Sequence, residues 1–124
     1  VVHCPLSHRY FGHRKFQCQR LRELGVNVSL GTDSLASNES LNMFAEMREF
    51  RRIEPGLRAE ELLATVTVNP ARALKKESVL GKIAPGAHAD LIALPFAGAL
   101  DSVYEEIVDY RKPIDWMMVD GQNA

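Results

Sequence analysis

The stretch Gly25-Val26-Asn27-Val28-Ser29-Leu30-Gly31-Thr32-Asp33 decides how this 124-residue chain is read. Val26, Val28 and Leu30 alternate with smaller or polar residues, the period of a strand with one buried face, and the run ends in Gly31 and Thr32 before an acidic side chain. Upstream, Cys18, Leu21 and Leu24 recur at helical spacing between Phe16 and Leu24, and Gly25 stands where a helix-terminating glycine belongs. Further upstream, Val1 to Cys4 reads as a short buried strand running into a polar loop from Pro5 to His13. The order is strand, helix, strand, the repeating unit of a parallel α/β fold.

Downstream of Asp33 the pattern turns helical. A small-residue loop from Ser34 to Glu39 leads to a helix on which Leu41, Phe44, Met47 and Phe50 form an apolar stripe, ended by Pro55-Gly56. Such a stripe is core unless something argues otherwise. Glu60 to Val66 predicts a further helix, and Asn69-Pro70 predicts an N-cap with proline at the first helical position, opening a short helix through Leu74. From Gly81 the chain reads as extended. Gly81-Lys82-Ile83 and Asp90 to Leu94 are strand candidates joined by the turn pair Pro85-Gly86. Trp116 to Val119 is another strand, followed by Asp120-Gly121, a favoured hairpin turn that calls for a partner strand.

Composition narrows the class. Hydrophobic residues make up 46% of the chain, enough for one ordinary core. The formal net charge is −1 with basic and acidic residues interspersed, which leaves no electrostatic footprint for nucleic acid. No apolar run approaches the roughly 20 residues of a membrane span, so no membrane partner is expected. Two cysteines without a C-x-x-C spacing give no disulfide framework and fit a reducing, cytoplasmic setting. The opening on Val1-Val2-His3-Cys4, and the three residues left after the Asp120-Gly121 turn, read as a chain cut inside a fold at both ends.

The chemistry-bearing residues fall early. In a parallel barrel, reactive groups sit at the C-terminal ends of strands, where the loops converge, and His3 and Asp33 both occupy such ends. A carboxylate there can bind a cation through oxygen and take a proton from metal-bound water, whose pKa the metal brings to about 7. On spacing alone, an aspartate that caps a loop or the next helix is the commoner reading. His3, His8 and His13 near Cys4 suggest a zinc site, but a spacing of five matches none of the usual ligand pairs. Cys4 and Cys18 read as core residues.

The run Val28-Ser29-Leu30-Gly31-Thr32-Asp33-Ser34-Leu35-Ala36-Ser37-Asn38, with Ser40-Leu41-Asn42-Met43-Phe44 and Glu46-Met47-Arg48, closely resembles the last barrel strand, loop and helix of the amidohydrolase superfamily. His3-Cys4-Pro5-Leu6-Ser7 resembles the preceding strand end in the deaminase and chlorohydrolase branch. Asn69-Pro70-Ala71-Arg72-Ala73-Leu74 and the run from Gly81 to Leu91 resemble that branch's return to a β-sandwich. The resemblance implies an α/β chain: the last two strand-helix units of a (β/α)8 barrel with C-terminal helices over residues 1–76, then strands of a small β-sandwich subdomain over residues 77–124.

Function is carried over residue by residue. Asp33 matches the aspartate that helps hold zinc or iron and shuttles a proton from the attacking water to the leaving group. His3, Ser7, Ser37 and Asn38 match residues that line or shape the mouth and can hydrogen-bond a substrate, although loop-fixing hydrogen bonds are an equal reading for each. Many relatives have Asn after the serine matching Ser7; here His8 stands, followed by Tyr10-Phe11-Gly12-His13, side chains that can stack on a ring. Asp90 and the glycines around it read as structural, setting a turn and the start of a strand.

The resemblance thus implies a metal-dependent aminohydrolase that deaminates an aminated heterocycle, a small-molecule substrate, with dechlorination of a similar ring as the nearest alternative. The family's remaining metal ligands have no counterpart in these 124 residues, so the segment alone is expected to turn nothing over and to retain zinc poorly. A different reading takes the chain as a noncatalytic barrel piece that self-associates or complements another chain, since partial sheets expose edges. A homo-oligomer is expected on either view.

Overall fold

A computed structural model describes all 124 residues. Two short strands, β1 (Val2–His3) and β2 (Ser29–Leu30), lie parallel with Val2 opposite Ser29 and His3 opposite Leu30. Parallel neighbours need a crossover, and helices α1 (Pro5–Tyr10) and α2 (Cys18–Glu23) supply it. The alternation ending in Asp33 therefore does mark a strand of a parallel pair. Gly25 follows the α2 terminus at φ +72, a conformation that side-chain-bearing residues avoid.

Pro5 to His13 departs from the sequence reading. The predicted loop begins instead with helix α1, with Pro5 in its first turn, where a missing N–H costs nothing. No neighbouring side chain caps it. The donor-satisfying group comes from Glu46, whose Oε2 accepts the Leu6 N–H at 3.0 Å, and a partner forty residues away leaves no local signal.

The α3 helix (Met43–Ile53) starts at Asn42, whose side chain accepts from Phe44 N and Ala45 N. Its stripe is core from Phe44 onward: Met47 and Phe50 are buried, whereas Leu41 precedes the helix and stays exposed. Helices α4 (Ala59–Ala64) and α5 (Val68–Ala73) follow. Cys18, Leu30, Met47, Phe50, Ala59 and Leu62 join Val108 in one core between β2 and the helices. Val108 belongs to α6 (Val103–Asp109), which packs on α3 and α4.

The junction of α4 and α5 closes the free side of β2. Leu30 N donates to Thr65 O at 3.0 Å, and Asn69 Nδ2 donates to Val28 O at 2.8 Å. Asn69 is thus not the expected N-cap. Thr67 holds that position, and Asn69 sits inside α5 with its amide turned to the strand.

The last segment forms an antiparallel sheet, β3 (Leu91–Ala93), β4 (Trp116–Val119) and β5 (Gln122–Asn123), in that order. Asp120 (φ +49) and Gly121 (φ +79) form the turn between β4 and β5, as the pair predicts. The strand expected at Gly81-Lys82-Ile83 is absent. Gly81 turns at φ +79 against the Thr67 carbonyl, and Ile83 projects 90% exposed. Pro85-Gly86 does make a turn, closed by Ala87 N to Ala84 O at 3.1 Å. Asp90 has a structural task, accepting the Asp120 N–H at 2.8 Å. No helix is long and apolar enough to cross a membrane.

Candidate functional site

Paired residues of a sheet share a face. His3 and Leu30 therefore face the helices, while Val2, Ser29 and, beyond the strand ends, Cys4 and Gly31 face the other way. The space beside Gly31 agrees: a Cβ there would meet Val2 Cγ1 at 3.0 Å and Cys4 Sγ at 3.3 Å. Asp33 follows three residues beyond β2, at φ +57. Aspartate is among the few residues other than glycine that visit this region, and here the turn carries its carboxylate into the open.

That carboxylate is gripped on one side. Oδ2 accepts from Ser7 Oγ at 2.7 Å and from Ser37 Oγ at 3.1 Å, and the two hydroxyl oxygens stand 2.9 Å apart. Each hydroxyl has one proton to give, so both protons are shared among three oxygens. Hydrogen bonds from Ser7 and then Ser37 hold the Asp33 carboxyl below the usual carboxylate range. Oδ1 takes no part in this serine grip. Ser7 is delivered by α1 and Ser37 by the loop after Asp33; both are buried.

Asn38 serves the same loop. Its Nδ2 donates to Thr32 O at 2.8 Å and also to Glu46, fixing the backbone immediately before Asp33. Ser7, Asp33, Ser37 and Asn38 are thus brought together. His3 is not. Its ring is buried on the helix-facing side, stacked on Phe16 at 4.0 Å and edge-on to His8 and Phe50. Burial, with His8 adding to it, lowers its pKa to about 4, so the ring is neutral at pH 7. Nε2 finds no hydrogen-bond partner.

Cys4, read from the sequence as plain core, lies half-buried on the Asp33 side of the sheet, its thiol near the Gly31 and Asp33 backbone, and burial pushes its pKa up. Strand alternation was the signal that separates it from His3. His8 Nε2 donates to Arg14 O at 2.7 Å, closing the loop after α1. Tyr10 lines an open cleft of about 960 Å³ with Arg9, Arg48 and Arg111. Ser37 and Asn38 border the same cleft.

The donor set near Asp33 fits one ligand of a metal, not a whole site. An exposed carboxylate kept ionised, with one oxygen fixed by two hydroxyls, is a suitable hard oxygen ligand. No three His, Cys, Asp or Glu side chains converge anywhere in the chain.

The Amidohydrolase family profile matches residues 1–123, and the chain belongs to that family. It is 44% identical over 98 residues to a 5-methylthioadenosine/S-adenosylhomocysteine deaminase of Pyrococcus furiosus, a match covering 73% of this chain and 23% of the relative. A zinc-bound adenosine deaminase of Xanthomonas campestris superposes with a TM-score of 0.89 at 27% identity, over 99% of this chain and 31% of that one. Helicobacter pylori aminofutalosine deaminase, solved with methylthio-coformycin, gives 0.84 at 25% identity, over 99% and 31%. The chain thus spans about a quarter of the length of the curated relatives it matches.

Proposed function

We propose that these residues are the C-terminal part of a metal-dependent deaminase that removes an exocyclic amine from an adenosine-like heterocycle. The observation that carries it is the Asp33 carboxylate, held ionised beyond the end of a parallel strand by Ser7 and Ser37. Named relatives deaminate such heterocycles. On this reading residues 1–76 complete a (β/α)8 barrel as its last two strand-helix units, and residues 77–124 contribute to a β-sandwich. The crossover pair β1 and β2 and the separate antiparallel sheet support that division.

Asp33 would hold a divalent ion, zinc or iron, together with ligands from elsewhere in the polypeptide. The chemistry such an ion supplies when bound is activation of water, whose pKa it lowers to about 7. Asp33 accepts the proton released as water attacks the ring carbon and returns it to the departing amine, so ammonia leaves and a carbonyl remains. The serine grip keeps the carboxylate ionised and aimed while it waits for that proton. Ser7, Ser37 and Asn38 border the place where the substrate sits. His3, a neutral ring packed on Phe16, backs the strand end from below. Assembly into a homo-oligomer belongs to the same reading, and exposed Ile92, Trp116 and Val119 offer apolar surface for it.

The test is ammonia release by the full-length protein against a panel of adenosine, 5-methylthioadenosine, S-adenosylhomocysteine, guanine and a chlorinated triazine. Deamination of an adenosine-type substrate supports the reading. Chloride release without ammonia would replace it with dechlorination, and no turnover by the metal-loaded protein would contradict it.

A further inference from the structure

Glu46 lies in the first turn of α3 with its side chain wholly buried, yet no cation pairs with it; the nearby Arg9 binds Glu49 instead, at 3.0 Å. A buried carboxylate without a counter-charge is costly, and burial pushes its pKa up. What it receives in return is two donors, one from the start of α1 and one from the loop that precedes α3. Oε2 accepts the Leu6 N–H, a first-turn amide of α1 with neither an intrahelical partner nor a local cap. Oε1 accepts from Asn38 Nδ2, which also binds Thr32 O.

Each arm ends beside a serine on Asp33. Leu6 is the neighbour of Ser7, whose hydroxyl stands 2.7 Å from Asp33 Oδ2, and Asn38 is the neighbour of Ser37, at 3.1 Å from the same oxygen. We propose that Glu46 is a positioning residue: its carboxylate joins the start of α1 to the Asn38 loop and thereby sets the two hydroxyls that aim Asp33. The proposal rests on the metal-holding and proton-moving role given to Asp33 above. It also explains why a carboxylate stands here. Both incoming groups are donors, so an acceptor-only group with two oxygens satisfies them, whereas glutamine would turn its own N–H toward one of them.

The experiment uses full-length protein and the variant Glu46→Gln, with kcat and KM measured per folded, zinc-loaded molecule well below Tm, and zinc affinity measured by chelator competition. The expected result is a kcat lowered about ten-fold or more, with KM changed far less, and weaker zinc retention, because a small displacement of a reacting group is expensive. Glu49→Gln, which cuts the Arg9 and Arg52 contacts on the same helix, is expected to lower Tm and leave kcat within about two-fold. If Glu46→Gln does not fold, Glu46→Asp, which keeps the charge but is one methylene too short to reach both Leu6 N and Asn38 Nδ2, is expected to give the same losses. A Glu46→Gln protein of lowered Tm but unchanged kcat and zinc affinity would overturn the proposal, as would an equal loss of kcat in Glu49→Gln. Should the wild type deaminate nothing, the proposed activity fails, and the zinc-affinity comparison still decides the role of Glu46.

Discussion

Ser7 Oγ stands 2.7 Å from Asp33 Oδ2, a contact that joins the helix after one parallel strand to the turn after the other. It is the shorter of the two serine contacts and contributes most to keeping the carboxyl ionised. In the metal-free protein, Ser7→Ala is expected to raise the Asp33 pKa toward the ordinary 3.8, and Ser37→Ala to raise it less. Carbon-13 NMR titration of the carboxylate reads both values. The order of the two shifts checks the geometry.

Two buried glutamates on α3 should respond to acid in opposite directions. Glu49 is bound by Arg52 and Arg9, which hold its pKa below the ordinary 4.5. Its stabilising contribution is therefore present above about 4.5 and lost as pH falls through the lower folded value. Glu46 is pushed up by burial, so its ionisation weighs against the fold as pH rises above 4.5. Urea denaturation is expected to show Glu49→Gln costing about 1–3 kcal/mol at pH 7, between the exposed and buried limits for ion pairs. That difference should shrink toward acid pH.

Phe50 has no exposed surface and meets both the His3 and Phe16 rings at the centre of the core. Phe50→Ala is expected to destabilise by about 3–5 kcal/mol, from lost transfer energy and an unfilled cavity. Equilibrium unfolding of the variant measures it. A loss under about 1 kcal/mol would mean that the helix layer does not rest on this ring.

Gly81 combines φ +79 with a backbone carbonyl where a side chain would begin: a Cβ would lie 2.6 Å from Thr67 O. The three nearest atoms, Thr67 O, Thr67 C and Val68 Cα, all belong to the backbone and cannot move aside. Gly81→Ala is expected to cost more than about 1 kcal/mol, read as a lowered Tm.

Much of this arrangement was legible in the sequence because its signals are local. The alternation through Leu30, the glycine at position 25, the Asp120-Gly121 turn and the stripe through Met47 and Phe50 each depend on residues within one element. The place of Asp33 beyond a strand end was legible too; the role proposed for it rests on the family resemblance. What escaped depends on distant partners. Helix α1 is capped by Glu46, Asn69 is drawn into α5 by the open carbonyl of Val28, and Gly81 is bent by Thr67. The face of His3 was in principle readable, since its pairing with Leu30 puts it against the core helices while Cys4 turns toward Asp33.

The most direct test of the account is Asp33→Asn in the full-length protein, assayed for deamination of adenosine-type substrates and for bound zinc. Asparagine keeps the size and can still accept from Ser7 and Ser37, but it holds a proton poorly and a cation weakly. The account predicts kcat lowered by about 10²–10⁴-fold, the range of a lost acid–base group, together with weaker zinc retention. A folded Asp33→Asn protein that deaminates at the wild-type rate and holds zinc as tightly would contradict it.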